Sequence, residues 1–141
     1  MNIIAFFIGC AIAAIIVVRF REKDLERKRM PYPLLLATFP FYYFAFALYA
    51  KDYSALVNEI LVGIIFVFIA LFAYMQRSIL GMRVLGLGYI AHAIYDVIHS
   101  TLFFNSGTPL WWPEFCGAVD GLLGIYLLCL AQSTQREKKN A

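Results

Sequence analysis

Gly88-Tyr89-Ile90-Ala91-His92-Ala93-Ile94-Tyr95-Asp96-Val97-Ile98-His99 decides how this chain is read. Its three ionisable residues are spaced i, i+4 and i+7, so at about 100° per residue a helix carries them on one narrow stripe. Everything between them is apolar or aromatic. A carboxylate or imidazole in hydrocarbon costs several kcal/mol unless it is paired, bound to a metal or wetted. The stripe therefore marks His92, Asp96 and His99 as candidate functional residues.

The rest of the chain supplies the hydrocarbon. Of 141 residues, 62% are hydrophobic and 15% charged, and the mean hydropathy of +0.74 is that of a membrane protein. Five apolar stretches, about 2–18, 32–50, 56–76, 84–104 and 115–132, each approach the roughly 20 residues that cross a ~30 Å hydrocarbon core as a helix. The expected fold is all-α: one domain spanning 1–141, an integral membrane bundle of five transmembrane helices. The first stretch has no basic segment before it. Ile16, Val17 and Val18 offer no small-residue cleavage pattern, so it reads as a retained helix rather than a signal peptide. No repeat, low-complexity tract or soluble domain interrupts the pattern.

Lysine and arginine orient the bundle. Arg19, Arg21, Lys23, Arg27, Lys28 and Arg29 fall in the first connection, Arg77 and Arg83 in the third, and Arg136, Lys138 and Lys139 in the tail. In a five-helix serpentine these lie on one side, and Lys51 alone on the other. The positive-inside rule then places the N-terminus outside and the C-terminus in the cytoplasm, as for a multi-pass protein of the bacterial inner (cytoplasmic) membrane. The same charges suit anionic lipid headgroups, so membrane lipids are expected partners and nucleic acid is not. Arg21–Lys28 mixes both signs at helical spacing and reads as a short solvated extension of the first helix.

Depth gathers further residues around the stripe. With the fourth helix ending near Phe104, Asp96 lies ~12 Å and His99 ~7–8 Å below the outer end. With the fifth helix starting near 115, Asp120 lies ~8–9 Å deep, between them. Cys116 and Gly124 share its face, Gly117 and Gly121 bracket it, and Gly81, Gly86 and Gly88 thin the fourth helix for close packing. Asp120 is thus expected within reach of His99 or Asp96. Glu59 stands near the outer start of the third helix, either in the site or reaching to the interface, and Glu114 stands at its mouth. Tyr42, Tyr43, Tyr49 and Tyr95 are candidate hydrogen-bond donors to the same region.

Two imidazoles and several carboxylates are ligands for zinc, iron or manganese. One-helix ligands spread over ~10 Å cannot all reach one ion. A divalent metal such as zinc would use two of His92, Asp96 and His99 together with Asp120, Glu59 or Cys116. The metal-free alternative is an Asp–His dyad with the imidazole as general base, and the inert one is an interhelical hydrogen-bond lock. Cys10 and Cys129 read as packing residues, and three scattered cysteines make no disulfide framework. Trp111 and Trp112 read as an interfacial anchor, and Phe39-Pro40 as a kink in the second helix. No Walker loop, dinucleotide fingerprint or HExxH motif occurs.

His92-x-x-x-Asp96-x-x-His99, followed by Trp112-Pro113-Glu114-Phe115-Cys116 and Asp120, resembles a family of small bacterial integral membrane proteins of unassigned function. The likeness covers roughly 84–130 and implies a compact multi-helix protein, with no activity attached. In layout, though not in motif spacing, the bundle is also similar to membrane-embedded sterol-isomerase-like proteins and ceramidase-like zinc hydrolases. Two functions stay open. One is an enzyme, such as a metal-dependent hydrolase, acting on a lipid or lipid-linked substrate through His92, Asp96, His99 and Asp120. The other is a non-enzymatic binder or transporter of a cation, proton or small hydrophobic ligand, for which a homodimer would supply the missing repeat.

Overall fold

The computed structural model describes residues 2–26, 28, 30–76 and 78–140. Helices make up 84% of it and no strand occurs among the described residues, so the all-α expectation holds. The elements are α1 (Ile3–Glu22), α2 (Pro31–Thr38), α3 (Pro40–Tyr49), α4 (Tyr53–Met75), α5 (Ile79–Leu102) and α6 (Trp112–Asn140). Four helices are long and apolar enough to cross a membrane: α1, Pro31–Tyr49 taken as one, α4 and α6. α5 has the length, at 24 residues, but His92, Asp96, His99 and Arg83 dilute its apolar character.

The α2–α3 break is where the sequence places a kink. Pro40 has no N–H to continue the ladder, yet Phe39 keeps helical dihedrals (φ −63°, ψ −43°). The buried residues Tyr32, Leu36, Phe39, Tyr43 and Ala47 consequently hold one stripe across the break. In α4 the stripe is Ala55, Glu59, Gly63, Phe66, Ala70 and Ala73. In α5 it runs through Leu85, Gly88, His92, Asp96 and His99, so the ionisable residues occupy ordinary core positions. Polarity is inverted elsewhere too. Ile4 is 74% exposed, Val97 69% and Phe68 64%, while Asp96 and Asp120 are fully buried. A surface of that kind suits a hydrocarbon solvent and not water.

Three boundaries differ from expectation. α5 starts at Ile79, which takes Arg83 out of the connection and into the helix, where its guanidinium donates to Gln135. α6 starts at Trp112 and continues to Asn140, so the basic tail is helical. α1 extends only to Glu22, and turns at Lys23–Glu26 follow. Arg27, Arg29 and Arg77, on which the orientation also rests, lie outside the described residues.

α5 packs most extensively on α6, and α6 in turn on α1. α4 lies on the other side of α5, against α2 and α3. The tightest α5–α6 approach is at Gly86 and Gly124, where a Cβ on Gly124 would lie 2.9 Å from the Gly86 carbonyl oxygen. Gly117 and Gly121, expected to set this spacing, have room for a methyl, with nearest neighbours at 3.5 and 3.9 Å. Gly9 sets the α1–α6 seam: a Cβ there would meet the Phe115 carbonyl oxygen at 2.4 Å. Because backbone would have to move, Gly9→Ala should destabilise the protein by about 1–3 kcal/mol. Thermal unfolding in detergent measures this, and an unchanged midpoint would show that α1 is not held against α6.

Candidate metal centre

Two polar clusters share the core, one saturated with hydrogen bonds and one not. The saturated cluster surrounds Glu59. Its Oε1 accepts from Asn105 Nδ2 at 2.8 Å and lies 2.7 Å from His99 Nε2, while its Oε2 accepts from the Tyr95 hydroxyl at 2.6 Å. Asn105 also donates to the Tyr43 carbonyl (3.2 Å) and accepts from the Gly107 amide (3.2 Å). Glu59 is 2% exposed. It belongs to the interior and does not reach for the interface. Sequence alone does not single out Asn105, since an Asn-Ser-Gly run after a helix signals a turn and nothing in it announces a buried partner for a glutamate.

The second cluster joins α5 to α6. His92 Nδ1 lies 2.6 Å from Asp120 Oδ2 and 3.4 Å from Asp96 Oδ2. Cys116 Sγ is 3.9 Å from Asp120 Oδ2. The Tyr43 hydroxyl donates to Asp96 Oδ1 at 2.8 Å and so fixes that carboxylate. Tyr43 links the clusters, because its ring also stacks on His99 with centroids 4.4 Å apart. Phe66 packs edge-on against His92 at 4.5 Å.

Asp120 pairs with His92; of the two partners expected for it, Asp96 lies within shared-ion reach and His99 does not, and the observed helix ends explain the difference. Measured from Leu102, Asp96 lies ~9 Å and His92 ~15 Å along α5; measured from Trp112, Asp120 lies ~12 Å along α6. Asp120 thus sits level with the gap between His92 and Asp96, about one turn further along α5 than the expected gap between Asp96 and His99. His99 is taken by Glu59.

His92, Asp96, Cys116 and Asp120 each offer one ligand atom, and these atoms lie within 4.8 Å of one another. Ligands around a single zinc stand ~3.5 Å apart, so a contraction of about 1 Å closes the set. The donor chemistry is one imidazole, two carboxylates and one thiol, which fits zinc or another borderline divalent ion. Orphaned atoms point the same way: Asp96 Oδ2 and Asp120 Oδ1 are buried without hydrogen-bond partners among the described residues. Buried polar atoms are rarely left so. Two of the three stripe residues contribute, together with two from α6, as the one-helix spacing requires. His99 and Glu59 stand outside this group.

Other candidates fall around it. Glu114, at the mouth, accepts from the Asn2 amide at 3.1 Å and ties the start of α1 to α6. Asp52 caps α4 by accepting from the Ala55 amide at 3.0 Å, which holds its carboxyl below the usual range. Trp111 remains exposed as an anchor requires, whereas Trp112 is buried against Tyr42 and Phe46. Tyr49 is exposed and does not reach the cluster. Cys10 is half-buried and Cys129 exposed. No family model, curated protein or solved structure matches the chain.

Proposed function

We propose that this is a five-span protein of the bacterial cytoplasmic membrane that binds one divalent metal, zinc by its donor set, with ligands drawn from His92, Asp96, Cys116 and Asp120. We further infer that the centre hydrolyses a lipid or lipid-linked substrate. α5 supplies the fifth span, at ~36 Å long enough for the bilayer core with its polar stripe turned inward.

One observation carries the substrate reading. Cys116 belongs to the metal-capable group and also lines a groove of about 690 Å³ between α1, α2–α3 and the start of α6. The groove wall is apolar, formed by residues such as Ile8, Ile12, Leu35, Phe39 and Phe115. An acyl chain laid there would bring its polar end beside Cys116. Trp112 lines the same groove, and its buried indole N–H has no partner among the described residues. That donor suits a carbonyl oxygen of an ester or amide. A bound metal would activate water and polarise the carbonyl. With one position left open for the water, three of the four residues would hold the ion, and Asp96, oriented by Tyr43, is placed to take up the water's proton.

Metal analysis of the purified protein, paired with lipid profiles of a deletion strain, tests the proposal. The expected outcome is about one divalent ion per chain together with an accumulated lipid species. Protein free of metal and a deletion strain with unchanged lipids would end it.

A further inference from the structure

A second pocket lies at the opposite end of the bundle, where the α1–α2 and α4–α5 connections meet the last turns of α6. Its volume is about 250 Å³, and its polar lining includes Glu26, Lys28, Tyr32, Gln76, Ser78 and Lys138. Ser78 is the N-cap of α5, and its side chain makes no capping hydrogen bond. The first-turn N–H groups of a helix have no intrahelical partners, and the helix dipole makes that end attractive to anions. Independently, the Tyr32 hydroxyl is buried without a partner while Tyr32 itself is 4% exposed. Its ring is fixed by an edge contact with Phe20 at 4.9 Å, and its carbonyl accepts from the Tyr89 hydroxyl at 2.8 Å. The hydroxyl is therefore held in place as a donor that nothing among the described residues uses.

We propose that this pocket binds a singly charged phosphate group. The donors are the Tyr32 hydroxyl, the α5 N-terminus and the ammonium groups of Lys28 and Lys138. Glu26 is the acidic residue of the lining. The Tyr126 hydroxyl donates to it, and its charge opposes a doubly charged anion while leaving room for a monoanion. A monoanionic phosphate at a bundle end has two sources: the phosphodiester of an anionic lipid headgroup, or free phosphate. The site is separate from the metal centre and does not rest on it.

Thermal unfolding of the full chain in neutral detergent distinguishes the outcomes. The probes are phosphatidylglycerol and phosphatidylcholine in mixed micelles, and inorganic phosphate against chloride at equal ionic strength. Phosphatidylglycerol should raise the midpoint and phosphatidylcholine should not. Tyr32→Phe keeps the packing, so without anionic lipid it should be at least as stable as the parent. Its midpoint shift should nevertheless require about fivefold more phosphatidylglycerol, the loss of one hydrogen bond. Lys138→Gln should weaken the response in the same direction. A shift with inorganic phosphate but not with the lipid supports the site and identifies free phosphate as its ligand. No shift with either probe, or equal shifts in Tyr32→Phe, Lys138→Gln and the parent, overturns the proposal.

Discussion

Glu59→Leu is expected to be among the most damaging single substitutions in the chain, at about 3–5 kcal/mol, the cost of removing one member of a buried charged network. The carboxylate engages Tyr95, His99 and Asn105 at once. Leucine would strand Tyr95 and His99 in a packed interior and leave Asn105 with only the Tyr43 carbonyl and the Gly107 amide. Glu59→Gln should be far milder, because one oxygen remains for His99 and Asn105 and the Tyr95 hydroxyl can turn to accept from the new amide. Denaturation in detergent measures the two stabilities. Metal content decides which cluster the ion uses: with the ion at His92, Glu59→Gln should retain it. Metal lost from Glu59→Gln but kept in an Asp120 variant would place the ion at Glu59 and His99 instead.

That contrast turns on what the sequence can and cannot convey. The stripe His92, Asp96 and His99 is legible because helical period alone puts it on one face, and the face is the buried one. The break between α2 and α3 at Phe39–Pro40 is legible because proline's missing N–H is a local property. Partner choice is not local. Placing Asp120 opposite His92 or His99 depends on helix ends at Leu102 and Trp112, and an error of two or three residues at each end, summed over two antiparallel helices, shifts the register by about a turn. The glycines show the same limit. Gly117 and Gly121 look like a packing motif, yet the close approach is at Gly86 and Gly124, since crossing geometry decides which small residue is needed. Asn105 escapes notice for another reason: its backbone setting is that of a turn, and only the tertiary fold brings Glu59 to its side chain.

Asp120→Asn should separate the metal centre from the scaffold that holds it. The amide nearly matches the carboxylate in shape, and its oxygen can still accept from His92 Nδ1 when that nitrogen carries the proton. The fold should therefore survive, with stability within about 1–2 kcal/mol of the parent. Metal binding should not. The site would lose one of its three anionic donors (Asp96, Asp120 and the Cys116 thiolate) in a buried setting, where ligand charge opposes the metal's own desolvation. An affinity loss of at least about 100-fold is expected, with any lipid hydrolysis lost alongside it. Asp120→Leu carries the comparison further: it leaves the His92 imidazole without its 2.6 Å partner and should cost about 1–3 kcal/mol in addition to the metal. Metal analysis and unfolding midpoints on the two variants check both halves. If Asp120→Asn unfolds as readily as Asp120→Leu while the parent carries no metal, the pair with His92 is a structural lock between α5 and α6, and the catalytic reading fails.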